Sequence, residues 1–123
     1  MSNPYHHALS SARKFGGEWL DYVAIHEWFD GSKAVMCDCR HRALRHHAEG
    51  IATAITLFGT VIKNSAGQMV PVRLIGEQHV REDLGRIPTA EEWLREIPLR
   101  PWMNKPERLS KDAQLHVQNH AAA

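Results

Sequence analysis

Apolar side chains recur every three or four residues along most of this chain, a spacing that is typical of amphipathic α-helices. The first helix is expected to begin at Asn3-Pro4, an N-cap followed by proline at the first helical position, and to end at Gly16-Gly17. The same spacing predicts further helices at residues 18–29, 33–57, 77–84 and 89–97.

Two β-branched segments, residues 60–63 and 69–74, stand between the helices and are separated by the turn-forming residues 64–67. Pro71 has no backbone N–H, so its strand is expected at a sheet edge. An isolated hairpin is only marginally stable in water and must therefore pack against the helices. We predict a mainly α fold with a small β-hairpin, that is, a compact α+β single-domain helical bundle.

A chain of 123 residues is long enough for one domain with a substantial core. We place this domain at residues 1–103 and expect the polar residues 104–123 to form a loosely ordered C-terminal tail. There is no signal-peptide pattern, and the longest uncharged run, residues 50–62, is too short to cross a bilayer. Cys37 and Cys39 are expected as reduced, partly buried thiols. These features favour a cytoplasmic protein without membrane contact.

The formal net charge of +1 argues against a generally cationic nucleic-acid binder. Nine histidines are the one outlier in composition, and histidine is the commonest metal ligand. Not all of them are expected at a site, because His6 and His7 fall off the apolar stripe of the first helix. We expect both to be solvated.

The strongest candidate site is a set of histidines and aspartates at helical spacing. His26 and Asp30 lie one turn apart on the apolar side of their helix, and His79 and Asp83 repeat this spacing. His41 also faces inward on the predicted third helix. Imidazole and carboxylate ligands together suit zinc, iron, manganese or nickel, and helices can project them into a shared interior. The alternative is a set of core histidines, each hydrogen-bonded to a carboxylate.

We predict a metal site built from His26, Asp30, His41 and His79, with the His79 ring meeting those of His26 and His41. If the protein is an enzyme, a metal-dependent hydrolase is expected, with Glu77 or Asp83 accepting the proton of a metal-bound water. The spacing specifies no reaction, since the chain contains no HExxH, CxxC, EF-hand loop or His-Asp dipeptide.

A competing hypothesis concerns the basic run at residues 40–47. Arg40, Arg42 and Arg45 could bind a phosphorylated ligand, because the guanidinium group binds phosphate bidentately. Such a run is also compatible with a solvated helix face. A third hypothesis is a structural, self-associating module without a ligand, which would form a homo-oligomer.

Several short motifs extend over most of the chain: Ile25-His26, Trp28-Phe29-Asp30, Ser32-Lys33, residues 40–47, residues 76–80, residues 82–85, Ile87-Pro88-Thr89 and Pro101-Trp102-Met103. Together they resemble a small, His-rich family of bacterial and tailed-phage proteins that is a domain of unknown function. The resemblance covers about residues 5–103 and implies no activity. Its phage members suggest one further ligand, a signalling nucleotide that such a protein would bind or degrade.

Overall fold

A computed structural model describes residues 3–104 of the protein. The described chain contains five α-helices and one antiparallel hairpin: α1 (Pro4–Phe15), α2 (Val23–Asp30), α3 (Ala48–Phe58), β1 (Val61–Lys63), β2 (Met69–Pro71), α4 (Val72–Leu84) and α5 (Ala90–Leu94). Short 3-10 turns occupy Trp19–Asp21, Gly31–Ala34, Cys39–Leu44 and Pro101–Met103. The predicted mainly α fold with a small hairpin is confirmed. The predicted tail, apart from Asn104, lies outside the described residues.

Helix α1 has the predicted ends. The Asn3 side chain accepts a hydrogen bond from the His6 N–H at 3.0 Å, and Pro4 supplies the first helical position. Gly16, at φ +85°, ends the helix with an N–H that donates to the Ala12 carbonyl.

The long third helix predicted at residues 33–57 is wrong. Only Ala48–Phe58 of that range is α-helical, and the segment before it consists of two 3-10 turns joined by a short loop. Local caps explain the interruption: the Asp38 carboxylate accepts from the Arg40 N–H, and the His47 ring accepts from the Gly50 N–H at 2.9 Å. A Cβ at Gly50 would lie 1.8 Å from the Arg45 carbonyl oxygen, so only glycine allows the chain to turn into α3 here.

The hairpin is shorter than predicted and α4 is longer. The strands pair Val61 with Pro71 and Lys63 with Met69, after which the chain enters α4 at Val72 instead of residue 77. This early start buries the side chains of Val72 and Ile75 completely. Burial of those two side chains outweighs the β propensity of residues 72–74. Helix α5 is likewise shorter than the predicted 89–97.

The core lies between α1, α2, α3 and α4, and its largest fully buried apolar side chains are Tyr22, Phe29, Ile25, Ile75, Val72 and Val80. Gly76 lets α4 approach its neighbours, since a Cβ there would lie 3.2 Å from both Phe29 and Ile51. This close approach carries the next turn of α4, which includes His79, into the interior.

Within residues 3–104, no helix is long and apolar enough to cross a membrane. Cys37 and Cys39 are both exposed, so the expectation of partly buried thiols is wrong. The reason is that Cys37 lies in a non-helical surface loop and Cys39 begins the 3-10 turn after it, whereas the expectation assumed an α-helix.

Candidate metal centre

Four histidines and two aspartates meet in the interior where α1, α2, α4 and the chain just before α3 come together. We call this set the histidine cluster; it contains His7, His26, Asp30, His46, His79 and Asp83. Each of its side chains is at most 7% exposed. Such burial of ionisable groups is costly unless they are paired or bind a metal.

Four of the six members, Asp30, His46, His79 and Asp83, bring their ligand atoms together, and we call these four residues the tetrad. Oδ2 of Asp83 lies 2.9 Å from Nε2 of His46 and 3.3 Å from Nε2 of His79. Oδ1 of Asp30 lies 3.3 Å from Nε2 of His79 and 3.8 Å from Nε2 of His46. Metal–ligand bonds of about 2.0–2.2 Å in a tetrahedron place the ligand atoms roughly 3.4 Å apart. The four His–Asp distances bracket that value, and all four ligand atoms lie within 4.8 Å of one another, so the tetrad can hold a four-coordinate ion.

A chain of hydrogen bonds behind the tetrad fixes where the protons lie. Nε2 of Gln78 donates to the His7 carbonyl and to Oε1 of Glu82, each at 3.0 Å, so Oε1 of Gln78 must face Ser11. That oxygen is 2.7 Å from the Ser11 hydroxyl, which must be the donor because an amide oxygen cannot donate. Ser11 then accepts from Nε2–H of His26, also at 2.7 Å. His26 is thereby assigned the tautomer with its proton on Nε2.

This assignment determines which nitrogen of His79 is free. Burial, together with repulsion from His79 and His7, lowers the pKa of His26 to about 2, so the His26 ring is neutral. Nδ1 of His26 therefore accepts, and Nδ1–H of His79 donates to it across 2.9 Å. A neutral His79 then presents the lone pair of Nε2 to the carboxylates of Asp30 and Asp83. A lone pair and two carboxylates require a cation between them, either a proton on Nε2 or a metal ion.

The other members of the tetrad have the charge states that metal ligands need. Burial disfavours ionisation of Asp83, but the adjacent His46, His7 and His79 rings outweigh it and hold the pKa of Asp83 far below its usual range. Burial opposes ionisation of Asp30 in the same way, and the His79 ring outweighs it to lower the pKa of Asp30. Burial lowers the pKa of His46, which favours its neutral form.

Several buried polar atoms around this centre have no hydrogen-bond partner in the described part of the chain. They are Nε2 of His7, Oδ2 of Asp30, Nε2 of His41, Nε of Arg42 and Nδ1 of His46. Such atoms are rare in native interiors and occur where a water or an ion completes the site. Their concentration around the tetrad agrees with a ligand-binding centre.

The predicted site residues are only partly brought together. Asp30 and His79 belong to the tetrad, and His26 contacts His79 but lies behind it. His41 is buried, yet its Nδ1 is 2.7 Å from the Ser32 hydroxyl, and its ring centroid lies 5.7 Å from that of His46. Burial lowers the pKa of His41.

The two predicted proton acceptors have different surroundings. Asp83 joins the tetrad as a candidate ligand. Glu77 pairs with Arg73 at 2.8 Å and lies 3.7 Å from Arg81, on the outer side of α4. The structure therefore does not bring Glu77 to the cluster.

Sequence reasoning missed two members of the cluster. His7 was expected to be solvated, which is wrong because it is 1% exposed. His7 lies next to Ala8 and one turn before Ser11, and all three side chains are buried on the inward face of α1. The prediction instead took the stripe of larger apolar residues as the inward face. His46 was not among the predicted ligands, because residues 33–57 were predicted as one α-helix and only His41 was placed on its inward side. No signal in the sequence reveals the 3-10 geometry that turns His46 inward.

The three candidate anion-binding arginines do not converge. Arg40 is exposed and forms three hydrogen bonds with the Asp38 carboxylate. The Arg45 guanidinium lies 4.6 Å from the Trp28 ring and donates to the Trp28 carbonyl. Arg42 approaches the tetrad, with Nη2 3.7 Å from Oδ1 of Asp83. Each arginine thus has a different protein partner.

Two surface cavities lie away from the tetrad. One, of about 310 Å³, is lined by Leu84, Arg86, Pro88, Glu92, Trp93 and Glu96. The other, of about 230 Å³, is lined by α3 residues together with Arg73, Glu77 and Ile87. No member of the histidine cluster lines either cavity, so neither gives a substrate direct access to the centre.

Comparison with known proteins places the chain in a family without assigning a function. The model of a family described as a domain of unknown function, DUF6915, matches residues 2–103, and the chain belongs to that family. No curated protein and no solved structure matches the chain.

Proposed function

We propose that this DUF6915 protein binds a divalent transition metal ion through Asp30, His46, His79 and Asp83. The observation that carries the proposal is the convergence of two imidazole nitrogens and two carboxylate oxygens, with tetrahedral spacing, in a buried site. Nitrogen and oxygen ligands favour zinc, iron, manganese or nickel over metals that prefer thiolates. The tautomer of His79 adds support, because it directs a lone pair at the same point as both carboxylates.

The geometry favours a stabilising role for the metal. Four protein ligands close a tetrahedral site, whereas catalytic zinc sites keep one position open. The ligands come from α2, from α4 and from the chain before α3, so one ion would tie together three separate segments. The hydrolase hypothesis draws no support from this arrangement, since the ligands are buried and Glu77 lies on the outer side of α4.

The competing explanation is a protonated His79 held between Asp30 and Asp83 without any metal. Both arrangements satisfy the same hydrogen-bond chain, because each supplies one cation at Nε2 of His79. They differ in a measurable way: a proton leaves no element to detect, and a chelator would not alter stability.

The test is elemental analysis of untagged protein, purified without chelator, for the wild type and two variants. Wild type should carry at least one transition metal ion per chain, and chelation should lower its melting temperature. Asp83→Asn should lose the tetrad ion because it removes a charged ligand. Asp38→Asn is the matched control, since Asp38 is exposed on a neighbouring loop. Metal-free wild type whose melting curve does not respond to chelator or added metal would overturn the proposal.

A further inference from the structure

His7 lies against His79 and beside Asp83, and its hydrogen bonds fix the orientation of its ring. Its Nδ1 lies 2.8 Å from Oε1 of Glu82. That carboxylate also accepts from the Ser10 hydroxyl at 2.5 Å and from the Gln78 amide at 3.0 Å. A carboxylate only accepts, so Nδ1 of His7 must donate. Such carboxylate–histidine pairs orient metal-binding imidazoles and make the opposite nitrogen more basic.

The opposite nitrogen of His7, Nε2, is buried and has no hydrogen-bond partner among the described residues. It lies 3.2 Å from Oδ1 of Asp83, the oxygen of that carboxylate that does not face His46 and His79. The His7 ring lies against the His79 ring, with centroids 4.0 Å apart, and 5.5 Å from the His26 ring.

Three ring nitrogens therefore meet at a second point. His7, His26 and His79 each offer a nitrogen within 4.8 Å of the other two. Nε2 of His26 is taken by Ser11, and Nε2 of His79 faces the tetrad. The nitrogens that remain are Nε2 of His7 and the two Nδ1 atoms of His26 and His79, which lie 2.9 Å apart.

We propose that a second divalent metal ion binds at Nε2 of His7 and Nδ1 of His26 and His79, beside Oδ1 of Asp83. The inference rests on the proposed function, because His79 then bridges two ions through its two ring nitrogens. As the second ion binds, the proton that joins Nδ1 of His79 to His26 and any proton on Nε2 of His7 leave to solvent, and the His79 ring becomes an imidazolate. Three imidazoles suit zinc, nickel or copper(II). The second ion binds more weakly than the first, since it displaces a proton and is repelled by its neighbour.

The test is a titration of untagged protein with zinc, followed by native mass spectrometry. Wild type should take up two ions in sequence. His7→Asn should take up one, because the asparagine amide can replace the Nδ1–H donor to Glu82 but offers no nitrogen in place of Nε2. His6→Asn is the matched control on the same helix, since His6 is exposed, and it should retain two ions.

Each outcome has a distinct meaning. A single ion in both wild type and His7→Asn would overturn the second position and leave the tetrad standing, whereas no ion in wild type would overturn both proposals. Two ions in His7→Asn would place the second ion elsewhere and overturn the inference. If His7→Asn does not fold, the electron paramagnetic resonance spectrum of wild type loaded with two copper(II) ions tests whether one imidazole bridges both ions. Ions bridged by one imidazole give a spin-coupled signal, and two independent copper signals would overturn the inference.

Discussion

Replacing Ser11 with alanine tests the hydrogen-bond chain that assigns the metal-binding nitrogen of His79. The change removes the hydroxyl that accepts from Nε2–H of His26 at 2.7 Å. Either that donor stays buried and unpaired, at a cost of about 1–3 kcal/mol in stability, or the proton moves to Nδ1 of His26. In the second case His26 donates to His79, and His79 carries its own proton on Nε2, where the metal would bind.

The second response weakens metal binding without removing a ligand, whereas the first lowers stability and leaves the lone pair of His79 in place. Loss of an outer partner of this kind lowers metal affinity by about 10–100-fold, or ~1.4–2.7 kcal/mol. Competition against a chromophoric chelator measures the affinity of the first ion directly. Ser10→Ala is the matched control, because the Ser10 hydroxyl donates to Glu82 and not to His26. The metal affinity of this variant should stay within about twofold of wild type, which corresponds to a change under ~0.5 kcal/mol. Ser11→Ala with both the affinity and the stability of wild type would refute the assigned tautomers.

Two further predictions follow from charge and burial. In metal-free protein the free energy of unfolding should fall as pH drops below the ordinary histidine pKa of 6.5. The reason is that the pKa of His26 is about 2 in the folded protein, so only the unfolded chain binds a proton at this residue in that range. One such group changes the free energy of unfolding by up to about 1.4 kcal/mol per pH unit. Denaturant unfolding between pH 6 and 4 measures this slope, and an equal slope in His26→Gln would show that His26 is not its source. Arg45→Gln should lower the free energy of unfolding by about 0.5–2 kcal/mol, because it removes the contact with the Trp28 ring. Arg40→Gln, at an exposed ion pair, should leave the free energy of unfolding unchanged. Loss of phosphate binding in Arg45→Gln with unchanged stability would instead support an anion site.

The sequence predicted the parts of the site that depend on regular helices. His26, Asp30 and His79 lie on true α-helices, so their spacing relative to apolar neighbours correctly turned them inward and brought His79 against His26. His46 could not be found in this way, because a 3-10 segment with its own caps replaces the predicted helix.

The division of roles within the cluster was also beyond helical periodicity. Asp83 and Glu77 lie six residues apart on α4, yet Asp83 reaches the tetrad while Glu77 pairs with surface arginines. His26 and His79 are equally buried, but only the contact of His26 with Ser11 shows that it lies behind the tetrad. These distinctions depend on how α1 and α4 pack together, which local sequence spacing does not encode.

The most direct measurement of the central claim is X-ray absorption at the zinc edge of protein loaded with one equivalent of zinc. The tetrad predicts four nitrogen or oxygen neighbours at about 2.0–2.2 Å, with outer-shell scattering from two imidazole rings. The exposed Cys37 and Cys39 provide the natural contrast, since adventitious zinc would bind those thiols. A zinc–sulfur distance of about 2.3 Å, or a shell without imidazole scattering, would contradict a metal centre at Asp30, His46, His79 and Asp83.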